Sequence, residues 1–141
     1  TDNRMTRFMI SLEEGVKLVW HALTDSMGGE IYVKKIPSMK ITDIACVIGP
    51  ETSQKIIGVR PGEKLHEQMI GLEDAQYTYE YDGYFKILPA IHGWNKDEKR
   101  INNGKKVSDN FQYTSDTNIE WMTKEFLRNW IEENKNKIGN V

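Results

Sequence analysis

The segment Arg60-Pro61-Gly62-Glu63 has the residue types that best fit a binding site in this sequence. Pro61 fixes its own backbone and Gly62 permits a tight turn, so Arg60 and Glu63 should lie at the two ends of that turn. The planar guanidinium of Arg60 matches two oxygens of a phosphate. The ionised carboxylate of Glu63 can accept hydrogen bonds from two neighbouring hydroxyls. A phosphate next to a diol describes a ribose diphosphate.

The same residues fit a purely structural role equally well, in which an Arg60–Glu63 salt bridge holds the turn.

Arg7 is the second binding candidate, because a diphosphate carries two charges to neutralise. A lone arginine on a surface more often pairs with a neighbouring acid. The aromatic side chains between Tyr77 and Phe85 have the shape to stack on a base or sugar, although strand-core and subunit-contact roles are commoner for such residues.

Other motifs that would indicate catalysis are missing from the sequence. It contains no Gly-x-Gly-x-x-Gly turn, no phosphate-binding Gly-x-x-x-x-Gly-Lys-Ser/Thr and no Gly-x-Ser-x-Gly elbow. The histidines, His21, His66 and His92, lack metal-ligand spacing, and the single Cys46 can form neither an internal disulfide nor a zinc site. We therefore predict no catalytic, cofactor or metal site within this chain.

Charge and hydropathy narrow the range of partners. The 19 basic and 21 acidic residues provide no polybasic field for nucleic acid. No run approaches the roughly 18 apolar residues that a bilayer span requires, and no secretory leader is recognisable. One cysteine is compatible with a reducing compartment. These features predict a cytoplasmic protein with no nucleic-acid or membrane partner.

Hydrophobic periodicity predicts alternating helices and short strands. The capping box Ser11–Glu14 precedes apolar residues at helical spacing and predicts a helix over residues 12–23. Further predicted elements are a strand at 30–35, a helix at 41–48, a strand at 55–59, a helix at 65–70, one or two strands within 76–88, a loop at 92–110 and a docked C-terminal helix at 122–134. This pattern is typical of one small mixed α/β (α+β) domain over residues 1–141.

Four motifs, in this order along the chain, resemble a known family: Met5–Val16, Gly29–Ile41, Gly58–Glu67 and Tyr84–Pro89. They are similar to bacterial UDP-N-acetylglucosamine 4,6-dehydratases of the configuration-inverting type. These enzymes are extended short-chain dehydrogenase/reductases of polysaccharide biosynthesis. The later stretch Tyr113–Asp116 is similar but less specific.

The resemblance implies a role in nucleotide-sugar chemistry. In that family NADP, held on an N-terminal Rossmann domain, takes a hydride from sugar C4, and water is then lost across C5–C6. The hydride returns at C6, C5 is inverted, and the 4-keto-6-deoxy product feeds pseudaminic acid and related glycans. The resemblance assigns Arg60 and Glu63 to the diphosphate and uridine ribose, and Arg7 to the phosphates. It also implies a homo-oligomer at full length.

The chain departs from the family in length. The family is about twice as long, and its dinucleotide fingerprint and catalytic Tyr-x-x-x-Lys lie before the point that corresponds to Thr1. No tyrosine here is followed by a lysine four residues later. We therefore expect the C-terminal UDP-sugar-binding portion of such an enzyme, inactive alone, with NADP bound by the N-terminal domain.

Two alternatives remain open at this stage. One is the substrate domain of a UDP-sugar 4-epimerase or a non-inverting dehydratase, since these relatives share the arginine-proline-glycine-acid turn. The other is a stand-alone, non-catalytic binding domain. The stand-alone domain predicts a start codon immediately upstream of Thr1, whereas the enzyme readings predict open coding sequence with a dinucleotide fingerprint far upstream.

Overall fold

The computed structural model describes residues 2–138, so Thr1 lies outside the described residues. These residues form two compact units. The first contains the chain up to Met9, Pro37–Glu67 and the residues from Ser115 onward, and the second contains Ile10–Ile36 and Gln68–Thr114. Both helices and antiparallel sheets are present, which confirms the predicted mixed α/β class.

The helices and strands alternate irregularly along the chain. In order they are β1 (Thr6–Phe8), α1 (Leu12–Asp25), β2 (Ile31–Lys34), β3 (Ser38–Lys40), α2 (Ile41–Ile48), β4 (Gln68–Ile70), β5 (Thr78–Tyr81), β6 (Tyr84–Ile87), α3 (Glu98–Ile101), β7 (Lys105–Lys106), β8 (Tyr113–Thr114), α4 (Lys124–Glu133) and α5 (Lys135–Ile138). Short 3-10 helices occur at Leu72–Tyr77 and Trp94–Lys96. The longest described helix, α1, has 14 residues, and none within residues 2–138 combines the length and hydropathy of a membrane span.

The first unit is built on a two-stranded antiparallel sheet and two packed helices. β1 pairs with β3, which places Arg7 opposite Met39. α2 follows β3 directly and packs against α4. α4 begins at Thr123, whose hydroxyl accepts the Phe126 amide. Met39 and Leu127 are buried in this unit, so its core lies between the sheet and these helices.

The second unit is built on a four-stranded antiparallel sheet. The strand order is β2-β6-β5-β7, and β4 pairs separately with β8. Phe85 and Ile87 on β6 are buried, as are Ile70 on β4 and Tyr113 on β8. The Tyr113 hydroxyl accepts the Ile36 amide at 2.9 Å and donates to the Ile36 carbonyl at 3.0 Å, so it connects β8 to the backbone that follows β2.

Most of the predicted elements are present. The helices predicted at 12–23 and 41–48 are α1 and α2, the strand at 30–35 is β2, and the C-terminal helix is α4. The stretch 76–88 forms the β5–β6 hairpin, in which Gly83 has φ +75°. The segment 92–110, predicted as a loop, contains a 3-10 helix, α3 and β7.

Two element predictions on either side of the Arg60–Glu63 turn are wrong. Lys55–Val59 forms no strand, because no described strand pairs with it, and its apolar side chains at Ile56 and Ile57 are exposed. The helix predicted at 65–70 is replaced by β4, which pairs with β8 and buries Ile70. Short apolar runs suit either a helix or a strand, and the available pairing partner decides between them.

A buried ion pair joins α1 to the sheet of the second unit. Lys86, whose side chain is 3% exposed, places its Nζ 2.8 Å from an Asp25 carboxylate oxygen. The Tyr32 hydroxyl donates to the same oxygen at 2.7 Å, and the Lys86 ammonium also lies 5.0 Å from the centre of the Tyr81 ring. Burial opposes ionisation of Asp25, but the hydrogen bonds from Lys86 and Tyr32 outweigh it and hold its pKa below the ordinary value.

Asp25→Asn should lower the free energy of unfolding by about 3 kcal/mol, because it leaves the buried Lys86 ammonium without a counter-ion. The folded-state pKa of Asp25 is lowered. Its contribution is therefore complete above about pH 4, near the unfolded value, and is lost as pH falls through the folded pKa. The variant should lack this acid-side decline. Urea unfolding measured between acidic and neutral pH tests both expectations.

Glu125→Gln is the matched control, because Glu125 pairs with Arg128 on an exposed helix surface. It should change the free energy of unfolding by less than about 0.5 kcal/mol. Equal losses in the two variants, or an unchanged acid-side decline in Asp25→Asn, would contradict the assigned role of the buried pair.

Candidate functional site

The Arg60–Glu63 segment forms the predicted tight turn. The Glu63 amide donates to the Arg60 carbonyl at 3.0 Å, and Gly62 has φ +85°, a conformation that glycine adopts without strain. Proline and glycine occupy the second and third positions, as a type II turn requires. The Glu63 carboxylate accepts the backbone amide of Arg60 at 2.9 Å. The turn is thus held through the backbone of Arg60.

The guanidinium of Arg60 is not used to hold the turn. Arg60 is exposed, and the ion pairs found within residues 2–138 do not include one between it and Glu63. Instead, the Oε2 atom of Glu63 accepts the backbone amide of Arg60. The alternative of an Arg60–Glu63 salt bridge therefore differs from the observed geometry. The turn is held by a hydrogen bond from the Arg60 amide to the Glu63 carboxylate.

Arg7 contacts the chain directly after this turn. Its Nη2 donates to the Lys64 carbonyl at 2.9 Å, and its Nη1 donates to the carbonyls of Thr6 at 2.7 Å and Leu65 at 3.3 Å. Its Nε lies 3.3 Å from a Glu67 carboxylate oxygen. The Arg7 side chain is 25% exposed. The structure therefore brings Arg7 to the segment that carries Arg60 and gives its guanidinium a positioning role.

A group of buried hydroxyls holds the same segment from its other side. The Thr6 Oγ1 lies 2.8 Å from His66 Nδ1 and 2.7 Å from Ser115 Oγ. Ser115 Oγ accepts the Glu67 amide at 2.8 Å, and the Ser115 amide donates to the Glu67 carbonyl at 2.8 Å. Thr6 and Ser115 are buried, while Asp116 lies 3.9 Å from His66 Nε2. Residues 65–67 are therefore fixed by contacts from two distant parts of the chain.

Sequence reasoning did not identify Thr6, Glu67 or Ser115 as parts of this arrangement. Thr6 and Ser115 are separated by 109 residues and Glu67 and Ser115 by 48, so no local pattern reports their contacts. The available signal was their position inside the motifs that resemble a known family. His66, which the sequence showed only to lack metal-ligand spacing, bonds the Thr6 hydroxyl through its Nδ1.

Ser115→Ala should lower the free energy of unfolding by about 1–3 kcal/mol, because it leaves a part-buried amide of Glu67 without its acceptor. Ser108→Ala, at an exposed serine, should change it by less than about 0.5 kcal/mol. Urea unfolding of the two variants provides the comparison. Equal stability of Ser115→Ala and the unmodified chain would show that the hydroxyl group does not hold the 65–67 segment.

Comparison with known proteins identifies the class of this chain. The profile of a family described as "Polysaccharide biosynthesis protein" matches residues 1–89. This match covers more than half of the chain, and the chain belongs to that family.

Individual relatives narrow the similarity further. The chain is 50% identical over 132 residues to a UDP-N-acetylglucosamine 4,6-dehydratase (inverting) of Campylobacter jejuni subsp. jejuni serotype O:2, with 90% of this chain and 40% of the relative covered. It is 32% identical over 119 residues to a UDP-glucose 4-epimerase of Rickettsia typhi, with 82% of this chain and 35% of the relative covered. The resemblance inferred from the motifs is thus confirmed.

A solved structure shares the fold. The X-ray structure of Pen from Bacillus thuringiensis matches with a TM-score of 0.74 and 26% sequence identity, covering 96% of this chain and 39% of that one. The chain thus spans 40% or less of the length of each of these three proteins.

Proposed function

We propose that the full-length protein is an NADP-dependent, inverting UDP-N-acetylglucosamine 4,6-dehydratase and that residues 1–141 form its UDP-sugar-binding part. The observation that carries this proposal is the 50% identity, over 90% of this chain, to a relative of that name. The product would be a UDP-4-keto-6-deoxy sugar for pseudaminic acid or another surface polysaccharide. We further propose a cytoplasmic homo-oligomer.

In this proposal Arg60 binds the diphosphate of the substrate. Its guanidinium is exposed while its backbone is fixed at both sides of the turn, by the Glu63 carboxylate and by the Glu63 amide. The fixed backbone keeps the base of the side chain in one place, and the planar guanidinium matches two oxygens of a phosphate.

Glu63 and Arg7 have supporting roles in the same proposal. Glu63 accepts hydrogen bonds from the ribose hydroxyls in addition to the Arg60 amide, since a carboxylate has about four acceptor positions. Arg7 fixes the carbonyls of Lys64 and Leu65 and places a second positive charge beside the turn. Contact between Arg7 and a phosphate requires the guanidinium to share its donors with these carbonyls.

The residues of this chain do not fit the NADP cofactor. Dinucleotide phosphates bind at a glycine-rich turn that leads from a strand into a helix. The connection from β1 to α1 reads Met9-Ile10-Ser11 and contains no glycine, and the sequence has no Gly-x-Gly-x-x-Gly turn. We therefore assign NADP to the remainder of the full-length protein and derive no chemical step from residues of this chain.

A UDP-sugar 4-epimerase is the second candidate, supported by the 32% identity to the Rickettsia typhi relative. The two reactions differ in mass balance, because dehydration removes one water from the sugar and epimerisation gives an isomer. Mass spectrometry of UDP-N-acetylglucosamine after incubation with the full-length enzyme and NADP should reveal a product lighter by one water. A product of unchanged mass that separates from the substrate would favour the epimerase. Absence of turnover, with a start codon directly upstream of Thr1, would favour a stand-alone binding domain.

Arg60→Ala should weaken UDP binding to the full-length enzyme by roughly 10- to 150-fold, which corresponds to the loss of about 1.5–3 kcal/mol for a hydrogen bond to a charged group. Isothermal titration calorimetry with UDP measures this change. Arg128→Ala is the control, since it removes an exposed arginine on α4 and should leave the affinity unchanged. Unchanged UDP affinity in Arg60→Ala would refute the phosphate assignment.

A further inference from the structure

The carboxylate of Glu67 lies beside Arg7, the second arginine that the proposed function assigns to phosphate. Its Oε1 oxygen is 3.3 Å from Arg7 Nε. The Glu67 side chain is 36% exposed and the Arg7 side chain is 25% exposed, so both charges are partly accessible in this chain. An anion that reaches the Arg7 guanidinium therefore also comes close to the Glu67 carboxylate.

The backbone of Glu67 fixes the point from which this carboxylate extends. The Glu67 amide donates to Ser115 Oγ at 2.8 Å, and the Glu67 carbonyl accepts the Ser115 amide at 2.8 Å. Ser115 is itself buried. Because both backbone groups of Glu67 are bonded to a buried residue, the Arg7–Glu67 pair differs from an ion pair between two mobile surface side chains.

Most of the donors of the Arg7 guanidinium are already engaged. Its two Nη atoms donate to the carbonyls of Thr6, Leu65 and Lys64, and its Nε faces Glu67. The carbonyls are neutral and leave the positive charge of the guanidinium uncompensated, whereas the carboxylate offsets that charge at short range. A phosphate that approaches Arg7 therefore meets an arginine whose charge is largely balanced.

The turn that carries Arg60 shows a similar balance of charge. The Glu63 carboxylate accepts the Arg60 amide at 2.9 Å, which places a negative charge in the same four-residue turn as the Arg60 guanidinium. Each arginine of the proposed site thus has a glutamate close to it. Such a site offers guanidinium donors for hydrogen bonds but little net positive charge.

Uridine nucleotides differ in the charge of their diphosphate. In a UDP-sugar both phosphates are esterified, and each carries a single negative charge. The terminal phosphate of free UDP ionises a second time with a pKa of about 6, so free UDP carries one more negative charge at neutral pH. A site whose own charges are balanced gains little from that additional charge, and a nearby carboxylate repels it.

We propose that Glu67 is a specificity-determining residue of this nucleotide site and that its charge favours esterified UDP-sugars over free UDP. Glu67 acts by offsetting the charge of Arg7 and by repelling the additional charge of the free nucleotide. The inference rests on the proposed function, because it requires Arg7 to face the diphosphate. It adds a means of rejecting a ligand that has the same uridine and the same two phosphates as the substrate.

Glu67→Gln removes the charge and retains an oxygen that can accept from Arg7 Nε. In the full-length enzyme it should strengthen UDP binding by roughly two- to fivefold, the range expected for a partly exposed ion pair. It should strengthen binding of the β-methyl ester of UDP, whose diphosphate is charged like that of a UDP-sugar, by a smaller factor. Isothermal titration calorimetry with the two ligands at one salt concentration measures both changes.

Glu125→Gln is the matched control, because it neutralises an exposed glutamate that pairs with Arg128, and it should change neither affinity. A purely structural role of Glu67 predicts the opposite sign, with weaker binding of both ligands by Glu67→Gln. Weaker or unchanged UDP binding by that variant would therefore overturn the proposal.

The unmodified full-length enzyme gives a measurement that does not depend on any variant folding. At about pH 7.5 it should bind the β-methyl ester at least as tightly as UDP, although UDP carries the greater charge. Tighter binding of UDP than of its ester would overturn the proposal while leaving the nucleotide site in place. If the unmodified enzyme binds neither ligand, or if Arg60→Ala leaves the UDP affinity unchanged, the proposed nucleotide site is refuted and this inference with it.

Discussion

The position of the Arg60–Glu63 turn depends on hydrogen bonds that reach the following residues from β1 and from Ser115. The chain before the turn forms no strand, so no ladder of backbone bonds fixes it. The guanidinium of Arg7 and the hydroxyl of Ser115 bind the backbone of residues 64–67, and the hydroxyl of Thr6 binds the His66 ring and Ser115 Oγ. Because buried hydroxyls and backbone amides are costly to leave unpaired, these contacts form as a set. The chain that directly follows the turn is consequently held by residues far from it in sequence.

In the second unit, buried charged side chains attach a helix to the sheet. The Lys86–Asp25 pair and the contact of His21 with Tyr84 occupy the side of α1 where an apolar stripe would normally lie. Aromatic rings around the Lys86 ammonium reduce its exposure to water, and the Tyr32 hydroxyl satisfies a carboxylate oxygen of Asp25. A polar contact that is well paired can replace apolar packing on that side. Leu18 and Ala22 on that side are half-buried, whereas apolar residues on the other side, such as Leu12 and Leu23, are exposed.

The sequence was informative where local chemistry determines structure. Ser11 caps α1 by accepting the Glu14 amide, which is the serine half of the predicted capping box, while the Glu14 carboxylate pairs with Lys17 and Lys34. Gly49 ends α2. The Pro61-Gly62 pair produced the expected turn. In contrast, the apolar runs on either side of that turn were assigned wrongly, because strand formation depends on a partner elsewhere in the chain. For the same reason the role of Ser115 could not be predicted, because its partners at the site are 48 and 109 residues away.

The exposed guanidinium of Arg60 and the exposed apolar side chains of α1 differ in how they respond to water and salt. The exposed Arg60 guanidinium is well hydrated and costs little until it binds an anion, and its attraction to a diphosphate weakens as salt screens charge. The exposed apolar side chains of α1, such as Leu12, Trp20 and Leu23, are unfavourable in water at any ionic strength, and excluded salts such as sulfate favour their burial. Raising the concentration of sulfate therefore acts on the two in opposite directions, because it screens the charge of Arg60 and makes exposure of the α1 side chains less favourable.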